Sequence, residues 1–207
     1  MAQVEHPRGE IILLRHGETE WSAAGKHTGR TDVALTERGE QQAKAAGTQL
    51  THRTIAHVFT SPLSRAHRTA ELAGFADATV DPDLQEWDYG GYEGLTTKVI
   101  RATKPGWLLW RDGVTPHPDG EPAESIADVA SRADRVISDV EPLLKDGDVV
   151  LVSHGHFLRV FAARWLRQDA HVGALLALDT ASLSWLGYEH EERVIRHWNL
   201  STDTTSA

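Results

Sequence analysis

The stretch that most constrains this chain is Ile11-Ile12-Leu13-Leu14-Arg15-His16-Gly17-Glu18-Thr19. Four apolar residues, β-branched at the start, read as a short buried strand. That strand runs straight into an arginine, a histidine and a glycine. In α/β proteins ligands dock just beyond the carboxyl ends of the strands. A guanidinium, an imidazole and a glycine that lets backbone approach closely make a candidate anion site there. Taken alone, the segment reads equally as an ordinary strand end with a solvated arginine and a surface histidine. Other segments decide between the two.

The same handover recurs along the chain. Ile55 to Thr60 reads as a second buried strand, and Ser61-Pro62 as an N-cap with proline at the first helical position. The helix that follows carries Arg65, Ala66, Thr69, Ala70 and Ala73 and ends near Gly74. Val149-Val150-Leu151-Val152 is a fully apolar strand ending in Ser153-His154-Gly155-His156, after which Phe157 to Leu166 is again helical. Between these units Thr36 caps a helix to about Leu50, with Ala43, Ala46 and Leu50 on one stripe. Ile126, Val129, Ala130, Ala133, Val136, Ile137, Val140, Leu143 and Leu144 recur at steps of three and four, the strongest amphipathic helix, stopped by Gly147.

The remaining stretches are weaker. Glu20 to Thr31, with Gly25 and Gly29, reads as a loop, and Thr79 to Leu84 as a brief strand weakened by Pro82. Glu86 to Thr97 is aromatic, acidic and glycine-rich and reads as a structured loop; Lys98 to Glu124 reads as a small irregular or helical excursion. Ala181 to Tyr188 and Arg193 to Trp198 read as final strands, and Ser201 to Ala207 as a frayed tail. Alternating strands and helices imply a three-layer α/β/α sandwich around a mostly parallel central sheet. One domain over residues 1–207 is expected, with a cap-like excursion at about 86–124.

Composition narrows the function. The formal net charge of −9 argues against non-specific binding to nucleic acid or anionic membranes, which needs basic patches. Without cysteine the chain has no thiol nucleophile, disulfide or thiolate metal site. Among the 12 histidines only His154 and His156 are spaced as metal ligands are, and residues two apart fall on opposite sides of a strand. Met1 to Glu10 is polar and no apolar run reaches membrane-spanning length, so a cytoplasmic protein is expected.

In a parallel sheet the carboxyl ends share one edge, so Arg15, His16, Arg65 and His154 can meet although far apart in sequence. Two arginines, two histidines and a helix N-terminus suit a phosphoryl group, since guanidinium pairs bidentately with phosphate oxygens.

With these residues in view, the chain resembles the histidine phosphatase superfamily, in its phosphoglycerate mutase-like branch. Leu-Leu-Arg15-His16-Gly17-Glu18-Thr19 with Gly29, Asp32, Leu35-Thr36 and Gly39 matches the first block, and Ser61-Pro62-Leu63-Ser64-Arg65-Ala66 the second. Glu86 through Tyr89-Gly90 to Glu93-Gly94 matches the third, and Val152-Ser153-His154-Gly155 the fourth. The resemblance implies two-step phosphoryl transfer with no cofactor and no metal, through a phosphohistidine at His16. Its catalytic set is His16, Glu86, His154, Arg15 and Arg65. Its substrate-binding set is Arg15, Gly17, Ser22, Thr28, Gly29, Arg65, Tyr89, Arg111, Gly155 and His156.

The physical chemistry agrees with these roles. Arg15 and Arg65 disfavour the protonated form of His16 by like-charge repulsion and neutralise the transferring group. His154, if protonated, would add a third cation. Glu86 would protonate the leaving oxygen and then take a proton from water, with Asp88 and Glu93 as rivals. Each has a plainer reading: Arg15 pairing with a surface carboxylate, Arg65 a solvated helix residue, His154 a helix cap, Glu86 a loop carboxylate. His27 and His156 could line the substrate pocket.

Departures from the mutase pattern favour hydrolysis. Ser22 and His156 stand where mutases carry asparagine, Arg111-Asp112 replaces paired arginines, and Thr97 aligns with an expected lysine. Losing cations that would grip a substrate carboxylate should weaken phosphoglycerate binding. Trp110-Arg111-Asp112-Gly113 and Ser153-His154-Gly155-His156 look closer to acid phosphatase and sedoheptulose-bisphosphatase members. The expected function is a metal-independent phosphomonoesterase for small phosphorylated metabolites, sugar phosphates among them. The alternatives are a cofactor-dependent phosphoglycerate mutase and an inactive phosphate-binding regulatory module. The resemblance also allows a homodimer.

Overall fold

The computed structural model describes residues 9–202. In chain order the elements are β1 (Ile11–Arg15), α1 (Glu20–Ala23), α2 (Glu37–Leu50), β2 (Ile55–Thr60), α3 (Ser64–Leu72) and β3 (Thr79–Val80). There follow α4 (Thr97–Thr103), α5 (Leu109–Asp112), α6 (Ile126–Val140), β4 (Asp148–Ser153), α7 (Gly155–Trp165), β5 (Leu183–Glu189) and β6 (Glu192–Leu200). Single 3-10 turns lie at Pro82–Leu84, Glu141–Lys145 and Ala170–Leu175.

The sheet order is β3-β2-β4-β1-β5-β6, parallel from β3 to β1 and antiparallel at the β1/β5 and β5/β6 pairs. Both faces are covered, and the side-chain period of two divides the central strands between two cores. Ile11, Leu13, Val149 and Leu151 face α6, α7 and the aromatic residues Trp87, Tyr89, Phe157 and Trp165. Ile12, Leu14, Val150 and Val152 face Ala46, Leu50, Ala66 and Ala70 of α2 and α3. The small residues on the second side let those helices lie close to the sheet. The expected sandwich is therefore present, with β1 and β4 at its centre. They pair in register down to Arg15 opposite Ser153, so His16 and His154 leave the sheet side by side.

Several local expectations are corrected. Glu20 to Thr31 is not all loop: Thr19 and Ser22 form a reciprocal capping box that starts α1. Helix α3 begins at Ser64 rather than at Pro62; its N-cap residue Leu63 has no polar side chain, and the Ser61 hydroxyl accepts from the Leu63 amide at 3.3 Å as well as pairing with His154. The strand expected over Thr79 to Leu84 is two residues long, and Pro82 opens a 3-10 turn instead. Pro142 likewise ends the α-helical run of α6, as a ring without an N–H must, although Leu144 still reaches the core. The excursion contains α4 and α5. At the C-terminus Thr202 is not frayed but buried, its hydroxyl donating to the Ala181 carbonyl; residues 203–207 lie outside the described part. So do residues 1–8 of the polar leader. No helix among the described residues is long and apolar enough to cross a membrane.

Candidate active site

Strand β1 delivers His16 to the sheet edge, where the ring is 5% exposed. Its Nδ1 lies 2.7 Å from the Gly17 carbonyl oxygen. A carbonyl only accepts, so Nδ1 carries the proton and Nε2 keeps a free lone pair. Burial, then Arg65, then Arg15, holds the imidazolium pKa well below its ordinary value. The ring is neutral at physiological pH, as the two flanking arginines led one to expect.

Arg65 rises from the first turn of α3 and is fully buried. It is far from the solvated helix residue of the plainer reading. Its Nη1 donates to the Thr31 carbonyl and its Nη2 to those of Thr28 and Gly29, at 2.9 to 3.1 Å. It thus clamps residues 28–31 against the site, while Nε donates to His154 Nδ1 at 3.2 Å. Arg15 donates through Nη1 to the Leu178 carbonyl at 2.5 Å, and its buried Nε finds no partner among the described residues. No carboxylate pairs with Arg15 by hydrogen bond there. Gly155 lets this guanidinium pass: a Cβ would sit 3.3 Å from its Nε and central carbon.

His154 corrects an expectation. Because its Nδ1 accepts from Arg65, its proton is on Nε2, which donates to Ser61 Oγ at 2.7 Å. A second proton would face the Arg65 N–H directly. Burial first, then Arg65, His16 and Arg15, pushes the pKa well down. His154 is thus a neutral ring, edge-on to His16 with centroids 5.1 Å apart, and not a third cation. It occupies the N-cap of α7 without a side-chain cap bond.

Glu86 lies on the loop before Trp87, 8% exposed. Its Oε1 accepts from the Trp87 and Phe157 amides and its Oε2 from the His156 amide, at 2.9 to 3.0 Å. The first turn of α7 therefore fixes this carboxylate beside His16. Its rivals are engaged elsewhere. Glu93 accepts from the Gly29 and Thr31 amides, and Asp88 pairs with Arg30 and His117.

His16, Arg15 and Glu86 open into a cavity of about 190 Å³ lined also by Ser22, Thr28, Tyr89, Gly155 and His156. His27 joins them, so both histidines proposed as lining residues are there. Tyr89 OH and His156 Nδ1 are 2.6 Å apart, and burial holds His156 neutral by pushing its pKa well below the usual value. His154 and His156 do not face each other as a ligand pair, and among the described residues no group of three His, Asp or Glu is placed to hold a metal.

Four members of the expected substrate-binding set are not among that cavity's lining residues; one is Arg65, whose guanidinium donates to the carbonyls of Thr28, Gly29 and Thr31 and to His154. Gly17 spends its amide on Thr69 Oγ1, and a Cβ there would meet the Gly39 carbonyl at 2.3 Å. Its glycine identity serves packing against α2. Gly29 sits behind Arg65 with its amide on Glu93. Arg111 is exposed, paired with Asp112 and the Gly106 carbonyl, and lines a different cavity. Sequence reading missed Ser61, Lys26 and Arg159. The last shares a helical face with Gly155, one turn further along α7, which was the available signal.

Comparison with known proteins places this geometry. The model of the histidine phosphatase superfamily (branch 1) matches residues 11–201. The chain is 44% identical over 185 residues to an acid phosphatase of Mycobacterium tuberculosis, covering 88% of each. It is 35% identical to sedoheptulose 1,7-bisphosphatase of Saccharomyces cerevisiae, over 74% of this chain and 66% of that one. A probable phosphoglycerate mutase of Cronobacter sakazakii is 31% identical over 93% of this chain and 91% of its own. Among solved structures, a mycobacterial glucosyl-3-phosphoglycerate phosphatase complexed with VO3 superposes with a TM-score of 0.80 at 33% identity, over 93% of this chain and 100% of that one.

Proposed function

The chain belongs to the histidine phosphatase superfamily and is an enzyme of that class acting on phosphorylated substrates; on that premise we propose that it hydrolyses small phosphomonoesters through a phosphohistidine at His16, without a metal. The observation that carries the reading is His16 itself. It is a neutral imidazole whose Nε2 lone pair is free among the described residues, beside an arginine whose buried Nε has no partner there.

In the first step Nε2 attacks phosphorus in line, the N–P bond forming as the ester P–O bond breaks. Glu86 gives its proton to the leaving oxygen. Water then attacks phosphorus, Glu86 takes back a proton, and the P–N bond breaks to release inorganic phosphate. Arg15 and Arg65 balance the charge on the equatorial oxygens, the service a metal would otherwise give. His154 orients Arg65 through its Nε and shields the inner side of His16. Tyr89, Ser22, Thr28, Gly155 and His156 form the wall against which the organic part of the substrate rests.

Relatives named for a sugar bisphosphate and for a glucosyl phosphoglycerate support a sugar phosphate as the small metabolite. The cavity fits this scale, lying below the roughly 300–1,000 Å³ of drug-sized pockets. The same reading covers a cytoplasmic location and one domain over residues 1–207.

The mutase reading is kept because a relative of that name matches nearly the whole chain. Against it, Thr97 contacts His27 where a lysine was expected, and Arg111 faces away from the cavity. Incubation with 3-phosphoglycerate and with a chromogenic phosphomonoester decides. Release of phosphate supports the hydrolase, isomerisation the mutase, and neither an inactive binding module. Acid-labile phosphate on His16, absent from His16→Ala, is the expected intermediate.

A further inference from the structure

The cavity that exposes His16 carries more positive charge than one phosphoryl group uses. Besides Arg15 it is lined by Arg159, on α7, and by Lys26, in the turn after α1. Glu86 is the one carboxylate among its described lining residues, and its oxygens are already held by backbone amides. All this sits in a chain whose net charge is −9.

Arg159 is half-buried, and none of its hydrogen bonds goes to a carboxylate. Its Nε donates to the Gly173 carbonyl at 2.9 Å and its Nη2 to that of Ala174 at 3.1 Å, while the guanidinium lies 4.8 Å over the Trp110 ring. These contacts fix its direction without cancelling its charge, and Nη1 is left over. Lys26 forms no ion pair among the described residues, its ammonium resting 5.2 Å from the Trp21 ring. Lys26 is exposed to solvent; half-buried Arg159, which feels the Glu86 carboxylate but has no hydrogen-bonded counter-ion among the described residues, is the cation that gains from an anionic ligand. Placement gives the ligand's geometry. Gly155 abuts Arg15 at the phosphoryl end, and Arg159 is four residues on along the same helix, about 6 Å at 1.5 Å per residue.

We propose that Arg159, with Lys26 beside it, binds a second anionic group of the substrate. The preferred substrate is then a phosphomonoester that bears another phosphate or a carboxylate a few bonds from the phosphoryl taken by His16. This rests on the phosphomonoesterase reading and adds the substrate class to it. It also accounts for the loss of the mutase-pattern cations, since a different cation lining the cavity meets the second charge.

The test uses three substrates with similar alkyl leaving groups: glycerol 3-phosphate, 3-phosphoglycerate and propane-1,3-diol bisphosphate. Phosphate release by the wild-type protein should be about tenfold higher in kcat/KM for one or both doubly anionic substrates. Which of the two is favoured tells carboxylate from phosphate. Arg159→Met should raise KM for the favoured substrate and bring the ratio near one, and Arg159→Lys should restore part of it. KM for the favoured substrate should rise more steeply with salt than that for glycerol 3-phosphate.

A wild-type ratio near one overturns the proposal, whether or not the methionine variant folds. So does a loss in Arg159→Met that is equal for all three substrates, which would leave Arg159 a tether for residues 173–174. If p-nitrophenyl phosphate is hydrolysed and none of the three is, this inference fails alone. If nothing is hydrolysed, the phosphatase reading fails with it.

Discussion

Two cavities lie on either side of one aromatic partition. Trp87 and Trp110 both line a cavity of about 430 Å³ under the excursion, and both pack on the other side against His156, in the wall of the 190 Å³ cavity. The larger space is bounded by Leu109, Val114 and Pro116 of the excursion and by Ile126 of α6, with its charged side chains already paired: Arg111 to Asp112, and Glu124 to Arg132. The smaller one collects an imidazole with a free lone pair, a guanidinium nitrogen without a partner and a carboxylate held by amides. Volume therefore does not locate chemistry here. Unspent hydrogen-bonding capacity does, and it is concentrated where two central parallel strands end.

The contrast can be broken by mutation, beginning with the strongest case. His16→Ala should abolish phosphate release, a loss on the order of 10⁴-fold or more, as for removal of a covalent nucleophile. Steady turnover by that variant would show that the small cavity is not the reacting centre. Glu86→Gln should slow alkyl phosphates by about 10²–10³-fold and phenolic esters much less, because a phenolate needs no proton to leave. Equal slowing of both would move the acid elsewhere. Chelator treatment should leave the rate where it was, and a metal requirement would undo the charge-balancing role given to the arginines.

Smaller effects sharpen the same contrast. His16, His154 and His156 are held neutral by burial, so the folded state binds no proton there until well below pH 6.5. The unfolded chain takes those protons near pH 6.5, and stability must fall as pH drops through that value. The slope is at most about 1.4 kcal/mol per pH unit for each such ring. Urea unfolding of His156→Gln at pH 7.5 and 5.5 should show a smaller acid loss than the wild type. An identical loss would mean that His156 titrates normally in the fold. On the rate side, protonation of His16 removes its lone pair, so the loss of kcat/KM due to that ring should come well below pH 6.5. Last, Arg111→Ala should change phosphomonoester turnover by less than about twofold, because this exposed side chain lines the other cavity and pairs with Asp112. A tenfold loss would join the two cavities into one site.

How far the sequence went in foretelling this differs by kind of residue. The strands β1 and β4, and the histidines that follow them, were readable because burial on both faces leaves a local signature of unbroken apolar runs. Which carboxylate belongs to the site was not readable: Glu86, Asp88 and Glu93 sit within eight positions, and only contact with residues 29 and 156 sorts them. Long cations defeat sequence reading for a related reason. Arg65 was placed correctly because its helix starts at a strand end, but its clamp on the carbonyls of residues 28–31 has no local trace. Arg111 was expected at the substrate and lines another cavity, while Arg159 lines this one, since nothing in the local sequence says which way a flexible stem of three methylenes will lie. The charge of His154 was left open by the sequence, because its partners Arg65 and Ser61 lie about 90 positions away; the Ser61 hydroxyl accepts that ring's single proton.

The adjacency of β1 and β4 has an effect on biosynthesis. Their side-by-side pairing joins residues about 138 positions apart, with Ile11 against Val149. A nascent polypeptide therefore carries His16, the proposed nucleophile, from the first moments of translation, yet the strand that stands beside β1 comes only in the last third of the chain. On the proposed mechanism, premature termination before that point should leave an inert fragment rather than a weakened catalyst.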